Sequence, residues 1–113
     1  MASPARNFPD PDKVIHERAR LRILVYLSSS REAESGFTDI RNDLAMTAGN
    51  LSAQLSTLEA AGYVGITKSF QGKKPFTGVR LTPAGKSALE RYLDEMEALL
   101  ATLRAKEGEA YAE

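Results

Sequence analysis

The sequence predicts a mainly α-helical domain that carries a small β-hairpin. Three observations point there. Leu51, Leu55 and Leu58 recur at four- and three-residue spacing, which sets them on one face of a helix. Two runs of strand character, Tyr63 to Phe70 and Phe76 to Leu81, flank Gln71-Gly72-Lys73-Lys74-Pro75, whose glycine and proline suit a turn. Beyond Pro83, the positions Leu89, Leu93, Met96, Leu100 and Leu103 step by four and three, a heptad pattern along a long helix.

Composition bounds what such a domain can do. The chain has 113 residues, enough for one domain, with 42% apolar and 27% charged residues, an ordinary globular mix. It has no cysteine, which excludes disulfides, thiol catalysis and cysteine-ligated metals. One histidine, His16, cannot make a histidine cluster, so neither a metal nor a cofactor is expected. No apolar run approaches the roughly 18 residues of a membrane span. The opening MASPARNFPDPD lacks the apolar centre of a secretory signal. A cytoplasmic protein is the expectation.

The first nine residues read as a flexible arm, and residues 10–106 as the folded domain. Asp10-Pro11-Asp12 is a helix-start signal, a capping acid with proline in the first turn. It predicts a first helix from about Asp12 to Leu27, with Ile23, Leu24 and Leu27 inward, Leu21 and Val25 widening that face, and Arg18, Arg20 and Arg22 outside the stripe or at its edge. Ser28 to Gly36 is polar and reads as a loop. Thr38 is a plausible cap for a short second helix, Asp39 to Ala45, with Ile40 and Leu44 inward. Met46-Thr47-Ala48-Gly49 joins it to the leucine-bearing third helix, which Gly62 stops. Thr82-Pro83 repeats the cap-then-proline signal and opens a last helix to about Lys106, roughly 35 Å long. Residues 107–113 read as a frayed tail.

Two short helices across a tight turn form a helix-turn-helix, whose second member lies in the major groove. That helix is leucine-rich on one side and small and polar on the other. Followed by a hairpin with a basic tip, it has the layout of a winged helix. The candidate base-reading set is therefore Thr47, Gly49, Asn50, Ser52, Ala53, Gln54 and Ser56. The candidate backbone-holding set is Arg41, Lys68, Gln71, Lys73, Lys74 and Arg80. Net charge is zero, but its distribution is uneven. Tyr63 to Arg80 holds four bases and no acid, whereas Glu90 to the end holds seven acids and three bases. A local basic face binds phosphate without a basic total.

A resemblance carries the reading further. Gly49-Asn50-Leu51-Ser52, Leu55, Leu58-Glu59, Ala61-Gly62-Tyr63-Val64, Phe70, Gly72-Lys73-Lys74-Pro75, Thr77, Leu81-Thr82 and Gly85 together resemble the winged helix-turn-helix transcriptional regulators of the MarR/ArsR-like group, in its small single-domain branch. Val14-Ile15-His16 and Arg20-Leu21-Arg22-Ile23-Leu24 match the same branch, so the resemblance covers about residues 12 to 95. It implies double-stranded DNA as partner and a homodimer built on long first and last helices, each subunit reading half of a pseudo-palindrome. A small-molecule effector between the dimer helices is common in the wider group, and nothing in this sequence specifies one. Metal sensors of the group carry cysteine or histidine clusters that this chain lacks.

The heptad stripe outruns a core this small, so its distal leucines call for a partner. Leu93, Met96, Leu100 and Leu103, with Val14, Ile15 and His16, form the expected dimer seam. The expected function is that of a repressor acting by operator occlusion. The alternative is a winged helix used as a protein-interaction module without specific DNA binding. Catalysis is not expected, since carboxylates such as Glu90 and Asp94 sit on a solvated helix face with no nucleophile or phosphate loop beside them.

Overall fold

The computed structural model describes residues 8–111. The elements run α1 (Arg18–Ser29), β1 (Ser35–Gly36), α2 (Phe37–Asp43), α3 (Ala48–Ala60), β2 (Val64–Gln71), β3 (Lys74–Leu81) and α4 (Pro83–Tyr111). The strands form an antiparallel sheet in the order β1-β3-β2. Among the described residues, no helix is long and apolar enough to cross a membrane.

One core joins all the helices to the sheet. It contains Ile15, Ile23, Leu24 and Leu27 from the N-terminal part, Ile40 from α2, and Leu51, Leu55 and Leu58 from α3. Val64, Val79, Ala88, Leu89 and Tyr92 complete it from the hairpin and α4. The leucine spacing of α3 thus does what the sequence indicates: one face is buried and the other is left for solvent or a ligand.

The first helix starts six residues later than its sequence signal. Asp12 does cap a turn: its Oδ1 accepts from the Val14 and Ile15 amides at 2.8 and 3.2 Å, and its carbonyl accepts from the His16 amide at 2.7 Å. Glu17 is then extended, at φ −147° and ψ 136°, which ends that turn. Its own carboxylate accepts from the Ala19 and Arg20 amides and starts α1 afresh. A second, charged cap close behind the first therefore wins. The N-terminal helix is 12 residues long rather than a long dimerisation arm.

The second helix also departs from expectation. Thr38 does not cap it; Gly36 holds the cap position without a side-chain hydrogen bond, and the helix ends at Asp43. Ala45 sits in the left-handed region at φ 54°. There the Ala45 amide donates to the Asn42 carbonyl at 3.2 Å and the Met46 amide to the Arg41 carbonyl at 2.9 Å, a Schellman ending. Strand β1, within the stretch read as loop, pairs Ser35 with Val79 and Gly36 with Gly78.

Helix α3 ends the same way, with a glycine where α2 has alanine. The Gly62 amide donates to the Glu59 carbonyl at 2.9 Å and the Tyr63 amide to the Leu58 carbonyl at 3.0 Å. Gly62 takes φ 81° at no steric cost. The hairpin closes on Gly72-Lys73, with Gln71 paired to Lys74 and Gly72 at φ 65°. Glycine in the first position of a two-residue loop is what a II′ turn needs. Strand β2 is displaced by one residue from its sequence signal, and β3 starts two residues before its own.

Thr82 caps α4 as expected, its hydroxyl accepting from the Gly85 amide at 3.0 Å and donating to the Gly62 carbonyl at 2.6 Å. The helix then runs 29 residues, about 43 Å, through Gly108 to Tyr111. Most of the expected frayed tail is therefore helical. A helix-interior glycine costs only about 1 kcal/mol, which does not by itself terminate a helix already in progress. The arm expected at residues 1–9 lies almost wholly outside the described residues.

Candidate nucleic-acid interface

Thr47 caps α3, its hydroxyl accepting from the Asn50 amide at 3.1 Å. From there Thr47, Gly49, Asn50, Ser52, Ala53 and Ser56 are all exposed. These side chains are short and uncharged, so base edges can approach the helix closely. Gln54, the remaining member of the expected reading set, is half-buried and already engaged. Its Oε1 accepts from Arg20 Nη1 at 2.8 Å, and its Nε2 donates to Asn50 Oδ1 at 3.1 Å.

The sheet faces of the wing alternate. Val64 and Val79 are buried against the core, so Ile66, Lys68, Phe70 and Thr77 share their side. A groove of about 430 Å³ separates α3 from this side, with Ser52, Ser56 and Glu59 on one wall and Ile66, Lys68 and Thr77 on the other. Lys68 is exposed along it, and Gln71, Lys73 and Lys74 are exposed at the tip. Phe70 is 72% exposed.

Arg80 falls on the opposite side. It pairs with Gly65, and a side chain at Gly65 would collide with its guanidinium. Arg80 Nη1 donates to Thr67 Oγ1 at 3.2 Å. The structure does not bring Arg80 together with Lys68 and α3. Arg41 is half-buried at the end of α2, its Nη2 near Asn42 Oδ1 at 3.5 Å.

A family of known proteins accounts for this arrangement. The family model described as a winged helix DNA-binding domain matches residues 19–100. The chain belongs to that winged-helix family. A solved structure of a transcriptional regulator homologue from Pyrococcus horikoshii OT3 superposes with a TM-score of 0.73 at 28% identity, over 80% of this chain and 87% of that one. The repressor CouR, bound to a 23-mer DNA duplex, matches at TM-score 0.62 and 21% identity, over 95% of this chain and 74% of that one. A point mutant of MepR from S. aureus matches at 0.63 and 20% identity, over 75% and 61%. The structural neighbours are MarR- and PadR-family transcriptional regulators. No curated protein matches the sequence significantly.

Two arginines of the winged helix escaped the sequence-based site. Arg18 and Arg22, exposed and four residues apart on α1, line a concavity of about 350 Å³ with Thr47 and Asn50 beside the α2–α3 turn. Their place on the face opposite Ile23 and Leu27 was readable. Their nearness to α3 was not, because it depends on how α1 crosses the helix-turn-helix.

The seam expected on the first and last helices is corrected in one member, and its N-terminal residues Val14, Ile15 and His16 lie ahead of α1. Ile15 is fully buried in its own core and leaves no surface for a partner. Val14 and Met96 pack partly against the same core. His16 is exposed, its Nδ1 2.8 Å from the Tyr92 hydroxyl. Leu93, Leu100 and Leu103 are 44%, 47% and 55% exposed. Val25, at 43%, was not in the expected set.

Proposed function

We propose that this chain is a homodimeric transcriptional repressor in the cytoplasm that occludes its operator. Two copies of α3 enter successive major grooves, and the two wings hold phosphates or the minor groove. The observation that carries this reading is the exposed, short-chained polar face of α3 beside a wing that bears lysines and no acid. Membership of a DNA-binding family and the DNA-bound state of CouR and of the PadR operator complex support it. Exposed leucines on the outer half of α4 support the dimer. A two-fold protein sets its half-sites about 10–10.5 base pairs apart or at multiples of that spacing.

Genome-wide recovery of bound DNA fragments tests the reading. A shared pseudo-palindrome near promoters, with transcription rising when the protein is removed, is the expected result. Transcription that falls on removal would make it an activator. A second reading, a protein-interaction module, is favoured by Phe70 standing 72% exposed at the wing. Fragments without a shared motif would favour it.

A further inference from the structure

We propose that Arg20 fixes which way the Asn50 amide faces, so that the first turns of α3 read guanine. This rests on the DNA-reading role proposed above. A guanidinium has donors only. Arg20 Nη1 lies 2.8 Å from the Gln54 side chain, so the atom of Gln54 that meets it is the oxygen. The other end of Gln54 is then its NH2, and what it meets at 3.1 Å on Asn50 is again the oxygen. Amide orientation is ordinarily a matter of assignment. Here the donor-only arginine at the head of the chain decides both amides in turn.

Arg20 itself is held in place. Its Nε donates to the Val14 carbonyl at 2.6 Å, and Glu17 Oε2 stands 3.8 Å from Nη1. Its side chain is only 18% exposed. Gln54 has both ends occupied and is a positioning residue rather than a reader. Asn50 and Gln54 are four apart on the same helix, the spacing at which side chains meet. With its oxygen turned to Gln54, exposed Asn50 presents its NH2 outward.

That polarity selects a base. Guanine offers two adjacent acceptors, N7 and O6, in the major groove. The usual asparagine–adenine pair needs the amide oxygen as well, to accept from adenine N6. In this chain that oxygen is turned toward Gln54, and the NH2 is the end left to meet a base. Thymine offers one acceptor, O4, against guanine's two and ranks below it, and cytosine presents a donor and is disfavoured outright.

Selection of duplexes from a randomised pool, with the full chain and three variants, tests the proposal. Asn50→Ala identifies the position that Asn50 reads. Unmutated protein is expected to select guanine there over adenine by roughly tenfold or more. Gln54→Glu keeps the shape but is acceptor-only. It still engages Arg20, forces Asn50 to turn its NH2 inward, and is expected to shift that position to adenine or cytosine. Gln54→Leu removes the relay, frees Asn50 to adopt either orientation, and is expected to admit adenine alongside guanine; it carries the test should Gln54→Glu fail to fold. Adenine, cytosine or thymine in the unmutated selection overturns the proposal while leaving DNA reading intact. So does guanine retained unchanged in both Gln54 variants, or an Asn50→Ala selection identical to the unmutated one. A pool that yields no enriched sequence at all overturns the DNA-reading role, and this proposal with it.

Discussion

The Tyr63 hydroxyl donates to the Asp12 carboxylate at 2.5 Å, joining residues 51 apart in the chain. Burial alone would raise the Asp12 pKa, but the Tyr63 hydroxyl, the Ile15 and Val14 amides and the Arg91 charge together hold it below the usual value. The bond to Asp12, with burial, pushes Tyr63 up. Asp12 therefore contributes stability that is present above its unfolded pKa of about 3.9 and is lost as pH falls through the lower folded value. Tyr63 contributes stability that is present below about pH 10 and is lost as pH rises through its raised folded value. Melting temperature should be flat across neutral pH and fall at both ends. Tyr63→Phe should cost about 1–2 kcal/mol at pH 7 and reduce the acid-side slope. An unchanged acid limb in that variant would mean that Asp12 does not depend on Tyr63.

Tyr26 makes a similar bond, donating to Asp43 Oδ2 at 2.6 Å, and that bond raises it to about 12. The bond ties α1 to the end of α2. Tyr26→Phe should remove its share of stability at neutral pH and weaken the fall in stability at the alkaline end, where the raised Tyr26 titrates; unfolding followed across the alkaline range checks it.

Ala45 carries strain that glycine would relieve. Left-handed backbone costs an alanine about 1–2 kcal/mol, while glycine gives back about 0.4–1 kcal/mol through a freer unfolded chain. Ala45→Gly should therefore stabilise the domain by about 0.5–1 kcal/mol, a rise of a few degrees in melting temperature. A fall in melting temperature would contradict the Schellman geometry assigned to this turn.

Reading and holding should separate by mutation. Lys73→Ala with Lys74→Ala should weaken binding to all duplexes alike and flatten the salt slope by roughly one for each phosphate no longer neutralised. Asn50→Ala or Ser52→Ala should cost about 1–3 kcal/mol on the selected site and little on random DNA. Filter binding with both duplexes across a series of salt concentrations makes the comparison. Reversed behaviour would exchange the roles of helix and wing.

The dimer stands or falls on the outer half of α4. Burying an exposed leucine contributes about 1.5–3 kcal/mol, and unpaired charge in the same seam is costly. Leu100→Asp with Leu103→Asp should sediment as a folded monomer at micromolar concentration and lose operator affinity by orders of magnitude. An unmutated chain that sediments as a monomer at high concentration while binding one half-site tightly would place the seam elsewhere.

What the sequence made legible was local. The leucines of α3, the Gly62 stop and the Thr82-Pro83 start each depend on residues within a turn or two, and the structure carries all three. What stayed hidden depends on distant neighbours. Strand β1 has two residues, too few for any period, and exists because β3 offers it a free edge. The restart at Glu17 brings Ile15 into the core, where a continuous helix was expected. Arg80 changes side because strand alternation puts it out of phase with Val79 by one residue. Gln54, expected among the base readers, is engaged by Arg20, 34 positions away.

The claim on which the rest depends is that the polar face of α3 and its basic wing hold DNA. Salt dependence of duplex binding tests it most directly. About three phosphates neutralised per subunit, six per dimer, give a slope of log affinity against log salt near −5. A slope of that size, steeper for the dimer than for the Leu100 and Leu103 double variant, is the expected result. A slope near zero on every duplex tried would contradict the account and leave the protein-interaction module as the reading of this fold.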